Sequence, residues 1–231
     1  MGKQDSLESR IKLVKDRVNA ACKVNGRSPN SVTLLAVSKT KPIEMIREAE
    51  RHGLKQFGEN YADEAKEKIQ QRPALTGEWH FIGRIQSNKT KSIAQHFAWI
   101  HTVDRIKVAR RLASHCPEKK ILQILLQVNV DSDENKGGIE ESKIDELIKY
   151  VLGEPNLNLR GLMTILSEGT DPQKGYSKLR DLFINLQEFY ADEFRNWDTL
   201  SMGMSKDLEV AVNCGATIVR VGTDIFGSRA N

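Results

Sequence analysis

The chain has 231 residues, 39% apolar and 29% charged, which suits a soluble globular protein of one large domain or two small ones. Its 35 lysines and arginines are interspersed with 31 aspartates and glutamates for a net charge of +4, so no basic block marks a nucleic-acid surface. No apolar stretch is long enough to span a membrane, and the N-terminus lacks the apolar centre of a signal peptide.

Residues 6–22 place Leu7, Ile11, Val14, Val18 and Cys22 at helical spacing. Asp5 with Glu8 offers a capping box, and Asn25-Gly26 is a stop signal. A regular alternation follows. Strand patterns at 32–38, 56–58, 79–82 and 98–103 precede helical patterns at 42–52, 61–71, 88–96 and 105–114. The β pattern at 121–130 is the strongest in the chain, and an amphipathic helix follows at 142–152. Strands at 157–164 and 199–202 precede helices at 173–194 and 207–213, and 216–222 is the eighth strand.

No hairpin signal separates these strands, and repeated βα units require right-handed crossovers and a parallel sheet. Eight units point to a single (β/α)8 TIM barrel spanning 1–231, with 1–31 an extra N-terminal helix and lead-in. The rival is a doubly wound open sheet, but "SKTKP" stands where a Gly-rich dinucleotide turn would follow the first strand.

Functional groups of such a barrel gather where strands end. The first strand, in "LLAVSKTKP" (34–42), ends at Lys39, and the last carries Arg220. Closure makes these strands neighbours, so the two cations are expected close together, with an anion compensating them. The loops "LSMGMSKD" (200–207) and "VGTD" (221–224) supply Ser201, Ser205 and Thr223 hydroxyls, with Gly203 and Gly222 admitting backbone N–H groups to an oxyanion.

A lysine partly desolvated beside a cation spends more time as a neutral amine, which attacks aldehydes. A phosphosugar of aldolase type and pyridoxal phosphate both answer that description. Lys41 shares the parity of Lys39 but precedes Pro42 and is expected at the surface. The plainer alternative has Lys39 snorkelling and Arg220 paired with Asp224 or Glu59.

Other signals carry less. Cys22, Cys116 and Cys214 are odd in number and far apart, as in a reduced, cytoplasmic protein. Gly2 to Ser6 matches a myristoylation pattern with no polybasic run to support it. "DSDEN" (131–135) has calcium-loop spacing, but Lys136 replaces the required glycine and Ser142 the final glutamate, so it reads as a solvated acidic loop. The five histidines form no ligand cluster, and no metal is expected. His80 and His101 read as satisfied core groups, and Phe57, Trp79 and Phe81 as packing. Lys136 overlooks the barrel mouth and is a candidate transient acceptor during ligand loading or release; an unchanged transfer rate in Lys136→Ala would count against that.

Six stretches occur in order: "LLAVSKTKP", "FGENY" (57–61), "EWHFIG" (78–83) with "QSNK" (86–89), "RGLMTI" (160–165), "LSMGMSKD" and "VRVGTDIFGSR" (219–229). Together, from Val32 to Arg229, they closely resemble the YggS/PROSC family of pyridoxal phosphate homeostasis proteins; Arg84-Ile85 departs from the usual pair. The resemblance implies a barrel like the alanine racemase N-terminal domain, holding pyridoxal 5'-phosphate as a Schiff base on Lys39. By position, it implies that Arg220 faces the pyridine nitrogen, that Ser201, Ser205, Gly222 and Thr223 hold the phosphate, and that Asn60 and Met163 line the ring.

It further implies a cytoplasmic binder of the cofactor that affects amino-acid and keto-acid balance. The expected partners are pyridoxal 5'-phosphate and, as transient acceptors, apoenzymes that use it, with no nucleic acid or membrane. A monomer is expected because no large unmatched apolar face is visible. The alternative is a racemase-type enzyme. It is disfavoured because Arg220 leaves the ring nitrogen unprotonated and the chain ends nine residues after Gly222, without room for a second base.

Overall fold

The computed structural model of the chain describes residues 6–71, 77–133 and 136–228. Asp5 of the expected capping box, Gly2 of the myristoylation pattern, Asn135 of the acidic loop and Arg229 lie outside the described residues. Eight parallel strands close into a barrel in sequence order. They are β1 (Thr33–Val37), β2 (Gln56–Glu59), β3 (Glu78–Phe81), β4 (Trp99–Val103), β5 (Leu122–Gln127), β6 (Leu157–Met163), β7 (Thr199–Ser201) and β8 (Ile218–Val221).

The outer layer is α2 (Ile43–Arg51), α3 (Ala62–Gln70), α4 (Thr90–His96), α5 (Ile106–His115), α6 (Ile144–Leu152), α7 (Pro172–Phe189) and α8 (Leu208–Asn213). Ahead of them lies α1 (Leu7–Val24), whose buried stripe of Leu7, Ile11, Val14, Val18, Ala21 and Cys22 packs into the main core. Its N-cap is Ser6, whose side chain accepts from the Ser9 N–H at 3.2 Å. Asn25 caps the other end, and Gly26 takes the positive φ (64°) that turns the chain away.

Three expectations needed revision. The fifth strand ends at Gln127, three residues early, because Val128 bridges Ile139 and the following backbone folds into a loop. The seventh helix stops at Phe189, with Tyr190 as its cap and Tyr190, Phe194 and Trp197 stacking back as a cluster. A single helical turn, α9 (Thr223–Phe226), follows β8 where none was expected.

The apolar core lies mostly between the strands and the helices, where Phe57, Trp79 and Phe81 are buried. The barrel interior holds a smaller cluster of Leu35, Ile82 and Ile218, with Val37 against it. Alternation along β1 therefore puts Leu35 and Val37 inward and makes position 39 the next inward one. The remaining interior is polar, and that sets up the site.

Candidate functional site

The pairing of β1 with β8 places Leu35 opposite Arg220. Lys39 is four residues further along, in the turn that follows β1. The two cations thus come from neighbouring strands, as barrel closure requires, but are staggered along the barrel, which lets them flank a space. Lys39 is half-buried, while Lys41 donates to the Ser228 carbonyl at 2.7 Å at the surface.

A buried polar brace stands behind Lys39 on the outer side of the barrel. The Ser38 hydroxyl donates to Glu59 Oε1 at 2.7 Å, and Lys68 Nζ donates to Glu59 Oε1 (2.8 Å), Glu64 Oε1 (2.6 Å) and the Ser38 carbonyl (2.9 Å). The Thr40 N–H donates to Glu64 Oε1 at 2.6 Å, which holds Thr40 at a positive φ of 62°. Both peptide units flanking Lys39 are pinned, and an unusual backbone conformation is maintained by its surroundings. Burial pushes the Glu59 carboxyl up despite the counteracting Lys68 ammonium. Of these residues only Glu59 was singled out from sequence, and as a partner for Arg220; Glu64 and Lys68 stand at helical i,i+4 spacing.

Arg220 lies inside the barrel, 4% exposed. Its Nη1 donates to Ser201 Oγ at 2.9 Å and its Nη2 to the Thr164 carbonyl at 2.8 Å. Neither carboxylate proposed in the plainer alternative pairs with it. Asp224 is held by Arg17, and Glu59 by Lys68. Among the described residues Arg220 makes no ion pair, and burial lowers its pKa while Tyr176 and Asp207 oppose the shift.

Below Arg220 runs a column of hydrogen bonds. Ser201 Oγ meets His101 Nδ1 at 2.9 Å, His101 Nε2 meets His80 Nδ1 at 2.9 Å, and His80 Nε2 meets Gln56 Oε1 at 2.5 Å. The donors follow by elimination. Gln56 turns its amide nitrogen to Glu78 Oε2 at 3.1 Å, so its oxygen faces His80 and must accept. His80 therefore carries its proton on Nε2 and accepts at Nδ1. His101 then donates from Nε2, and Ser201 donates to His101 while accepting from Arg220.

Both imidazoles are neutral, because burial lowers His80 to about 3 and His101 well below the usual histidine value. His80 stacks on Trp99, over which Arg160 sits at 4.6 Å. The expectation of satisfied core histidines holds.

Ser201 departs from the arrangement the motif implied. Its hydroxyl is wholly engaged with Arg220 and His101 in the interior. Ser205 lies on the loop after β7, Thr223 opens α9, and Gly222 joins β8 to it. A Cβ at Gly203 (φ 91°) would lie 2.4 Å from Ala211 Cβ, which leaves no room for a side chain, and one at Gly222 would lie 3.2 Å from the Val37 carbonyl oxygen, a tight contact. Asp207 organises the first loop, accepting from the Met204 N–H at 2.6 Å and from the Tyr176 hydroxyl at 2.9 Å.

Asn60 follows β2 and Met163 ends β6, fully buried. Asn60 Oδ1 is buried without a hydrogen-bond partner. It borders a cavity of about 300 Å³ that Ile82, Gln127, Lys136 and Ile165 also line, and a second of about 410 Å³ toward Tyr61 and Lys89. Lys136 leans over the first, donating to the Leu166 carbonyl. The acidic loop is structural. Asp131 accepts from the Ser167 N–H and Asp133 from the Ser167 hydroxyl, and no metal-ligating cluster occurs among the described residues.

These features fit a small phosphorylated aldehyde with an aromatic ring. An inward lysine, an unsatisfied amide oxygen, an arginine without a carboxylate and two loops bearing hydroxyls converge on one end of the barrel. Comparison with known proteins agrees. The family model "Alanine racemase, N-terminal domain" matches residues 12–230. A protein of Vibrio cholerae named pyridoxal phosphate homeostasis protein is 44% identical over 229 residues, covering 97% of each chain. The structure of PipY from Synechococcus elongatus with pyridoxal phosphate bound is 34% identical with a TM-score of 0.80, covering 93% of this chain and all of the other. Alanine racemase from Corynebacterium glutamicum shares the fold alone, at 12% identity and a TM-score of 0.67, with 96% of this chain and 62% of that one covered. The chain belongs to the family of the pyridoxal phosphate homeostasis proteins, built on the alanine racemase N-terminal domain.

Proposed function

We propose that this protein binds pyridoxal 5'-phosphate as a Schiff base on Lys39 and serves as a non-catalytic reservoir that maintains the free cofactor and, through it, amino-acid and keto-acid balance. The cofactor supplies an aldehyde for a primary amine and an electron-withdrawing pyridine ring. The observation that carries the reading is Arg220, buried inside the barrel without a carboxylate, on the strand next to the one that Lys39 follows.

Lys39 would supply the primary amine for that aldehyde. Arg220 is a permanent donor, so it binds the ring nitrogen in its unprotonated form and keeps the ring a weak electron sink. That favours holding over turnover. Asn60 and Met163 would line the ring, where the unsatisfied Asn60 Oδ1 could accept a hydrogen bond. Ser205, Gly222 and Thr223 would take the phosphate, while the Ser201 hydroxyl expected there serves Arg220 and His101 instead. Among the described residues no helix is long and apolar enough to cross a membrane. The buried thiols of Cys22 and Cys214 support a cytoplasmic location. The protein acts as a monomer, handing its cofactor to apoenzymes that meet the open mouth.

The test is to add pyridoxal 5'-phosphate, record the visible spectrum, reduce with borohydride and map the modified peptide. A yellow protein modified at Lys39 is expected, with no loss of optical activity when single-enantiomer amino acids are added. Robust racemisation would make it an enzyme. A colourless protein would remove the reading. Transfer to an apoenzyme is expected to slow several-fold in Lys136→Ala, measured by reactivation of the acceptor, because Lys136 Nζ stands over the exit.

A further inference from the structure

The helix α1 lies outside the repeating βα units, yet it reaches the end of the barrel where the phosphate is assigned. Arg17, on α1, extends across the ends of β7 and β8. Its Nε and Nη2 grip both oxygens of Glu209, at 2.6 and 3.0 Å, in a two-pronged pair. Its Nη1 donates to Asp224 Oδ2 at 2.6 Å, and Nη2 also donates to the Ser205 carbonyl at 2.9 Å. Glu209 stands in the first turn of α8, and Asp224 directly follows Thr223. One guanidinium thus holds Ser205 itself, the helix after its loop and the residue beside Thr223.

An exposed ion pair contributes little, about 1 kcal/mol at most. This arrangement differs in geometry. The Arg17 side chain is 28% exposed, and the planar fork serves three acceptors on two chain segments that are far from it in sequence. The Glu209 pair raises the Arg17 pKa and correspondingly lowers that of Glu209. The Arg220 N–H donates to the Gly203 carbonyl at 3.0 Å and registers the two segments at their base, but among the described residues no hydrogen bond joins 204–207 directly to 222–226, so their outer parts are linked through Arg17. Fixing a loop residue costs conformational entropy, and a site that is already ordered avoids spending binding energy on that step.

We infer that Arg17 is a positioning residue for the phosphate cradle, locking the loops after β7 and β8 together so that their hydroxyl and N–H groups converge on a phosphate ester. The inference rests on the proposed cofactor reading. It concerns only the phosphate end of the ligand. The helix has other anchors. Arg27 donates to the carbonyls of Val212 and Ala216, both at 2.8 Å, and the apolar stripe is buried independently of position 17. Loss of the guanidinium therefore leaves α1 in place.

The experiment compares pyridoxal 5'-phosphate with pyridoxal, which has the ring and aldehyde but no phosphate, in the parent, Arg17→Met, Arg17→Lys and Glu209→Gln. Affinities are measured by absorbance titration, with covalent attachment checked by borohydride reduction. Arg17→Met is expected to bind pyridoxal 5'-phosphate about tenfold more weakly, a change of about 1.4 kcal/mol, while pyridoxal binding stays within twofold of the parent. Glu209→Gln is expected to move in the same direction by less, and Arg17→Lys to recover part of the preference. An unchanged preference for the phosphorylated form in Arg17→Met would overturn the inference, and so would an equal loss for both ligands, which would mark general damage. A parent that binds neither ligand would instead refute the cofactor reading and remove the inference with it.

Discussion

Lys39→Ala is expected to reduce borohydride-stable incorporation of pyridoxal 5'-phosphate to background, leaving only a weak, reversible and colour-shifted complex. Covalent attachment needs a primary amine that reaches the interior, and nearby lysines are committed elsewhere. Lys68 is buried in the brace with Glu59 and Glu64, on the outer face of the barrel. Lys41 is tied to the Ser228 carbonyl. Lys136 leans on the Leu166 carbonyl at the mouth.

The fold itself should tolerate this change, since a half-buried side chain at a strand end contributes little to the core. Thermal unfolding of the apoprotein should therefore shift by only a few degrees. The phosphate and ring contacts remain, so the variant should still compete for free cofactor at high concentration. A Lys39→Ala protein as yellow as the parent, with the chromophore mapped to another side chain, would contradict the assignment.

The barrel was legible because eight strand patterns alternate with helical ones, and the strand ends of such a barrel brought Lys39, Ser201, Arg220 and Gly222 to one end, whereas Asn60 and Met163 came from the family resemblance alone. The register between strands was not legible, since it arises from how the closed sheet staggers. For that reason Lys39 and Arg220 were expected side by side, whereas Arg220 lies opposite Leu35. The same blindness hid the column beneath Arg220. Gln56, His80, His101 and Ser201 come from four strands, and no spacing along the chain announces that they will meet. Ser201 was assigned to the phosphate on position alone, and only its partners reveal a commitment to Arg220. Arg17 was simply one more polar residue on an amphipathic helix until its partners, nearly two hundred positions away, could be seen.

Acid should destabilise this protein steeply, through the two histidines of that column. In the unfolded chain each takes up a proton near pH 6.5, but in the folded barrel burial keeps His80 neutral down to about 3 and His101 lower than usual. A second charge is also unwelcome there, because His80, His101 and Arg220 share one line of contacts and Arg160 covers Trp99 below. As pH falls below 6.5 the unfolded state binds more protons, so stability falls. Above 6.5 neither state is protonated at these sites and the effect vanishes.

At pH 5 the loss is about 2 kcal/mol for His80, with His101 adding to it in the same direction, against a typical total of about 5–15 kcal/mol. Glu59 works in the opposite direction. Its raised pKa means that the folded state takes up a proton first as pH falls toward 4.5, which partly offsets the loss there. Urea unfolding of the apoprotein at pH 7 and pH 5 measures the difference. His80→Asn should be less stable at pH 7, having lost the Trp99 stack, yet show a shallower dependence on pH by about one proton. An identical slope in parent and variant would mean that the column is already open to protons in the native state.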